Sequence, residues 1–233
     1  MNLEEHIITG SEYQRKVWLL NAYDVSSPRL GIFLDGESYV NRMDAPRILY
    51  ELQKNGEIPS LTCVFVSHLN GEARHHDLTC NPGFSSFIAN DVFKWCREKN
   101  AHIENGRHLI SGTSLSGLAS AYLMITYPTI FSHSLCQSGS FWWNNEWLTN
   151  ELKNRVIQRG NYWISVGSNE TDFGISHPPT GLRQDISQID SCTRFCEGIS
   201  EVGHSVHCNI YEGGHDIKSW KEELPQALKW LFR

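Results

Sequence analysis

Short apolar, β-branched and aromatic runs recur along the chain, and between most of them lie longer stretches whose apolar residues return with the period of a helix. The runs predict strands at Lys16–Tyr23, Leu30–Leu34, Leu61–Ser67, His108–Ser111, His133–Cys136, Tyr162–Val166 and Val206–Tyr211. The periodic stretches predict helices over Ala45–Lys54, Phe84–Glu98, Leu115–Thr126, Glu146–Arg155, Gln184–Glu201 and Ile217–Phe232. Strands that alternate with helices make βα units, and a succession of these folds as an α/β, doubly wound, mostly parallel sheet with helices on both faces. The first strand follows a polar segment and is expected to pair antiparallel at an edge. Turn residues punctuate the pattern at Asp35-Gly36, Asn55-Gly56, Asn81-Pro82-Gly83, Asn105-Gly106 and Gly213-Gly214. The stretch from Gly174 to Arg183 has no clear period and is expected to be a loop, either a mobile one over a site or a plain surface one.

Composition narrows the class. A chain of 233 residues, 40% hydrophobic and 11% aromatic, has enough apolar surface for the core of one α/β domain spanning residues 1–233. The formal net charge of −6, with no run of Lys or Arg, argues against nucleic acid as a partner and for a small molecule. The N-terminal Met1-Asn2-Leu3-Glu4-Glu5-His6 lacks a basic segment followed by an apolar one, and no stretch approaches about 18 uninterrupted apolar residues. A cytoplasmic protein with no membrane partner is therefore expected. The seven cysteines, several inside strand-like runs, read as buried free thiols in a reducing compartment. Cys192 and Cys196 lack His or Cys companions at metal spacing, so no metal is expected there. The sequon Asn169-Glu170-Thr171 matters only after secretion.

The chemistry concentrates at Ser114. It sits in Gly112-Thr113-Ser114-Leu115-Ser116-Gly117, between a strand-like and a helix-like stretch, close to a G-x-S-x-G nucleophile elbow. A serine at such a strand-to-helix turn presents its hydroxyl to a pocket. The strained turn needs small flanking residues, and Ser116 stands where glycine is usual.

Partners for a nucleophile in an open α/β sheet gather beyond the carboxyl ends of the strands. After Tyr162–Val166 comes Gly167-Ser168-Asn169-Glu170-Thr171-Asp172, and after Val206–Tyr211 comes Glu212-Gly213-Gly214-His215-Asp216. The order serine, acid, histidine is that of α/β-hydrolases. His215 is the candidate base for Ser114, and Glu170 the candidate acid that orients it. Asp172 competes with Glu170, which follows its strand more closely; Asp216 reads as a helix N-cap. An oxyanion needs backbone donors, one from Leu115 and the other from Gly36 or Glu37, although Asp35-Gly36 also reads as a plain turn.

These segments resemble the enterochelin esterase family, the esterase D-like branch of α/β-hydrolases. The resemblance runs in order through Phe33-Leu34-Asp35-Gly36-Glu37, Arg74-His75-His76-Asp77-Leu78-Thr79-Cys80-Asn81, Gly112-Thr113-Ser114-Leu115-Ser116-Gly117-Leu118, Gln137-Ser138-Gly139-Ser140-Phe141-Trp142-Trp143 and Gly213-Gly214-His215-Asp216. It implies a cofactor-free serine esterase with Ser114 as nucleophile and His215 as base, and catecholate siderophore trilactones as the best-known substrates. Such anionic, aromatic ligands call for cations and flat side chains. Candidates are Arg74, His75 and Asn81, with His76 nearby and Trp142, Trp143 and Trp220 as walls. Two alternatives use the same framework: an acyltransferase or macrolactone-forming enzyme, and a catalytically silent binding protein on a hydrolase fold.

Overall fold

The computed structural model describes residues 1–26, 28–103, 106–154 and 158–233. The chain begins with an antiparallel pair, β1 (Leu3–Thr9) and β2 (Gln14–Leu20), then runs β3 (Arg29–Leu34), α1 (Gly36–Asn41), α2 (Ala45–Lys54), β4 (Leu61–Val66), α3 (Gly71–Leu78) and α4 (Pro82–Ser86). A π-helical segment, Phe87–Val92, joins α4 to α5 (Phe93–Lys99). There follow β5 (His108–Thr113), α6 (Leu115–Thr126), β6 (Phe131–Gln137), α7 (Trp143–Glu151), β7 (Asn161–Gly167), β8 (Ile175–His177), β9 (Leu182–Gln184), α8 (Gln188–Glu201), β10 (Ser205–Tyr211) and α9 (Ile217–Leu231). Eight strands form one sheet in the order β1-β2-β4-β3-β5-β6-β7-β10. From β4 to β10 every pairing is parallel, and β1 and β2 add antiparallel at the far edge. This is the doubly wound, mostly parallel α/β arrangement that the alternation of elements implies, and it agrees with the α/β-hydrolase fold that the resemblance implies.

Every residue of β4 and β5 is buried, because helices cover both faces of the sheet; β4 is accordingly apolar but for Thr62, whereas β5 also buries His108, Ser111 and Thr113. On one face Leu49 of α2 and Trp220, Leu224 and Leu228 of α9 pack against Phe33, Phe65 and Trp163. On the other, Phe87, Leu118 and Leu123 of α6, and Phe195 of α8 pack against Ile32, Val64 and Ile164. Among the described residues no helix is long and apolar enough to cross a membrane.

Several expectations are corrected. The edge strand is β1, in which Ile8 is the one buried residue, so its sequence lacks a clean strand pattern; the expected first strand is β2, one place in from the edge. Helices α1 and α3 are short and were not marked by period. The expected loop at 174–183 is the hairpin β8–β9, so α8 begins at Gln188, where the Ser187 hydroxyl accepts from Asp190 N–H. Within α7 the residues Asn144, Asn145 and Glu146 have positive φ and form a kink, so its regular right-handed part follows Glu146, close to the expected start; Arg155, its expected end, and Asn105 lie outside the described residues. Cys196 and Cys208 form a disulfide between α8 and β10, which overturns the reading of all seven cysteines as free thiols.

Candidate active site

Strand β5 ends at Thr113 and α6 begins at Leu115, which leaves Ser114 alone to reverse the chain direction at φ 57°, ψ −124°. A side-chain-bearing residue held there costs on the order of 1–3 kcal/mol, so the surroundings must enforce it. They do so by close approach. A Cβ on Gly112 would lie 2.1 Å from the Ser116 carbonyl oxygen, and one on Gly117 would lie 2.9 Å from Gly139 Cα. Ser114 N–H donates to the Gln137 carbonyl at 2.9 Å, and the Ser114 carbonyl accepts from Ser140 N–H at 3.1 Å. Ser116 fits in place of glycine because its buried hydroxyl folds back on the turn, accepting from Thr113 N–H at 2.8 Å and donating to the Thr113 carbonyl at 2.7 Å.

Beyond β7 and β10, two side chains meet. His215 Nδ1 lies 2.6 Å from Glu170 Oε2. The other carboxylate oxygen accepts from Gly167 N–H and Ser138 Oγ, both at 2.7 Å, and from the Tyr211 hydroxyl at 3.2 Å. Burial raises the Glu170 pKa, but the His215 bond and charge, with the bonds from Ser138 and Gly167, outweigh it and hold the carboxyl below its ordinary value. An ionised carboxylate only accepts, so Nδ1 of the neutral imidazole carries the proton and Nε2 keeps its lone pair. Trp220 stands edge-on to the imidazole, ring centroids 4.9 Å apart, and its Nε1 donates to Ser138 Oγ and the Tyr211 hydroxyl at 3.0 Å each. Asp172 is exposed and does not reach His215; its backbone carbonyl accepts from Gln184. Asp216 caps α9, accepting from Ser219 N–H at 3.0 Å.

Across from the elbow, β3 is followed by Asp35, which at φ 57° turns the chain into α1 and leaves Gly36 pressed against β4; a Cβ there would lie 2.8 Å from the Phe65 carbonyl carbon. Leu115 and Gly36 are each the first residue of a helix, where backbone N–H groups have no partner within the helix. The Glu37 side chain turns away, accepting from the Ser67 hydroxyl and from His68 N–H at 3.2 Å, with His68 Nδ1 in ion-pair range at 3.0 Å. Burial raises the Glu37 pKa, yet the bonds from His68 and Ser67 bring it down to about 2. Glu37 in turn raises the pKa of His68. Arg74 directs Nε and Nη2 at both oxygens of the buried Asp35, at 2.7–3.0 Å.

Ser114 and His215 border two depressions. One, of about 310 Å³, is walled by Trp142, Asp172, Ile175, His177 and Gln188. Trp142 stacks on His177 at 5.2 Å and donates to Gln188 Oε1 at 2.6 Å, while Gln188 Nε2 holds the Ser138 and Gly139 carbonyls. The other, of about 410 Å³, is walled by Asp35, Ser38, Arg42, Arg74 and Trp220. Of the expected ligand-contacting residues, Arg74, Trp142 and Trp220 line these spaces. His75, Asn81 and Trp143 are not among the lining residues. His75 sits on α3, where burial, then Arg74 and His177, lower its pKa. Asn81 caps α4, accepting from Gly83 and Phe84 N–H, and its amide lies against His76. Trp143 packs edge-on against Trp147. The sequence pattern marks neither Gln188 nor Arg42; Ser138 carries the signal of directly following a parallel strand, and His177 lies in the 174–183 stretch expected either over a site or at the plain surface. Among the described residues no group of three or more His, Cys, Asp or Glu side chains is placed to hold a metal.

A family model described as "Putative esterase" matches residues 19–231. The iron(III) enterobactin esterase of Dickeya dadantii is 26% identical over 94% of this chain and 52% of its own length. The iron(III) salmochelin esterase of Escherichia coli O6:H1 is 23% identical over 97% of this chain and 56% of its own. The chain thus spans about half the length of the curated relatives it matches. Among solved structures, the enterobactin esterase of Shigella flexneri, crystallised in the presence of enterobactin, superposes with a TM-score of 0.85 at 21% identity over 99% of this chain and 59% of that one. The BES protein of Bacillus cereus superposes with a TM-score of 0.76 at 18% identity, over 100% of this chain and 97% of that one.

Proposed function

Starting from a chain that belongs to the esterase family, matched over residues 19–231, we propose that it hydrolyses carboxylic esters through an acyl-Ser114 intermediate. The observation that carries this reading is the strained turn at Ser114 bordering the same depressions as a His215 imidazole that Glu170 holds by Nδ1. His215 Nε2 takes the Ser114 hydroxyl proton as Oγ adds to the ester carbonyl. The developing oxyanion accepts from Leu115 N–H and Gly36 N–H. Collapse breaks the ester C–O bond, and the imidazolium returns the proton to the departing alkoxide, which leaves as the alcohol. Water, deprotonated by the same imidazole, then releases the acid and restores Ser114. Glu170 stays ionised throughout and stabilises the imidazolium.

The substrate we propose is a catecholate siderophore ester. The named activity of the relatives on iron(III) enterobactin and iron(III) salmochelin supports this, as do crystals of the Shigella flexneri protein grown with enterobactin and with 2,3-dihydroxy-N-benzoyl-serine. Trp142 and Trp220 supply flat walls on either side of Ser114 for such rings.

The test is labelling by a fluorophosphonate probe combined with turnover of an activated ester. Labelling at Ser114 that disappears in Ser114→Ala and His215→Ala, together with loss of turnover, is the expected result. Undiminished turnover by Ser114→Ala overturns the mechanism. A panel of linear and cyclic catecholate esters against simple acyl esters decides the substrate class.

A further inference from the structure

Two cations line the depression between α1 and α9, and they differ in what holds them. Arg74 spends its Nε and Nη2 on Asp35, a carboxylate only 3% exposed, so that charge is met inside the protein. Arg42 ends α1, is exposed, and among the described residues pairs with no carboxylate. The remaining acid of this depression, Asp216, directs both carboxylate oxygens at Ser219, one to its N–H and one to its hydroxyl. Ser38, one helical turn before Arg42, adds a hydroxyl to the same wall.

The opposite depression has the contrary character. No Lys or Arg lines it, and it carries the carboxylates of Asp172 and Glu170. A bound molecule with one anionic group is therefore steered by charge: repelled from the Asp172 side and drawn to the unpaired guanidinium. A guanidinium presents planar, paired donors that match the two oxygens of a carboxylate or an ionised catechol.

We propose that Arg42, assisted by Ser38, forms an anion subsite beside Ser114, and that it selects esters bearing a negative group on the portion lying over α1. The proposal rests on the reading of Ser114 as an esterase nucleophile only in taking the ligand to be an ester. Arg42 is thus a specificity-determining residue in a place the sequence pattern did not mark.

The test uses two matched pairs of esters, so that the charge lies on either side of the scissile bond: 4-nitrophenyl hexanoate against mono-(4-nitrophenyl) adipate, and phenyl acetate against 4-acetoxybenzoate. The readout is the ratio of kcat/KM for the anionic over the neutral member. In at least one pair Arg42→Gln lowers that ratio about tenfold and Arg42→Glu lowers it further, while Arg42→Lys retains most of it; added salt shrinks the wild-type preference. Calorimetric titration of Ser114→Ala protein with benzoate and benzamide reads the subsite without chemistry: benzoate binding weakens about tenfold on adding Arg42→Gln, and benzamide binding does not follow it. The subsite is overturned if neither ratio moves by more than twofold in Gln and Glu variants, or if the wild-type enzyme shows no preference for the anionic member of either pair. Failure of fluorophosphonate labelling would instead strike the nucleophile assignment, and the benzoate titration would still decide Arg42.

Discussion

Nδ1 of His215 and Oε2 of Glu170 lie 2.6 Å apart, and the carboxylate that fixes the imidazole is itself fixed by Gly167, Ser138 and Tyr211. Three strand ends, those of β6, β7 and β10, thus converge on one side chain. Glu170→Gln keeps the shape but offers an amide where Nδ1–H needs a carboxylate. We expect kcat on a neutral ester to fall by about three orders of magnitude with little change in melting temperature, as measured by steady-state kinetics beside calorimetry.

Gly112 has no room for a methyl group, since its Cβ would stand 2.1 Å from the Ser116 carbonyl oxygen, a backbone atom that cannot step aside. Gly112→Ala should destabilise the fold by about 3 kcal/mol or more and disorder the elbow. Urea unfolding gives the first quantity. A loss of less than about 1 kcal/mol would mean that the turn is looser than described.

Arg74 holds the buried Asp35, the residue whose left-handed conformation delivers Gly36 to the site. Removing the guanidinium in Arg74→Met leaves a buried carboxylate facing His68 alone, at 3.5 Å. The expected cost is about 3 kcal/mol of stability, with kcat reduced more than KM is raised. Arg74→Lys, which keeps charge but not the paired donors, should recover only part of both.

Glu37 and His68 make stability depend on pH at both ends. The Glu37 carboxyl, at about 2 in the folded protein against about 4.3 for an unfolded chain, stabilises the fold above the higher value and ceases to do so as pH falls toward the lower. His68 is shifted the other way, raised by Glu37, so its contribution is complete below about 6.5 and disappears as pH rises through its folded value. Urea midpoints between pH 7 and pH 2 should therefore drop more steeply for the wild-type protein than for Glu37→Gln. Parallel curves would show that the pair contributes nothing to acid sensitivity.

Much of this protein was determined locally. Largely apolar runs mark β3, β4 and β7, because helices cover both of their faces, and the helical period of α2 and α9 follows from one face meeting the sheet, whereas α6 is buried nearly all round. Gly112 and Ser114 stood out because a tight strand-to-helix reversal admits few residue types. The placing of Glu170 and His215 just past their strands likewise came from the parallel topology, in which strand ends share one edge of the sheet. What tertiary structure alone decided is pairing across distance. Nothing in the run Arg74-His75-His76 tells that its guanidinium is claimed by Asp35, nor that Arg42 is left unclaimed; nothing in Gln188 tells that it braces the carbonyls of Ser138 and Gly139. β1 and the β8–β9 hairpin escaped because few of their side chains are buried, so that hydrogen bonding to a neighbour, not a hydrophobic pattern, makes them strands. Cys196 found Cys208 for the same reason that Arg74 found Asp35: the fold places them together, and the chain between them carries no trace of it.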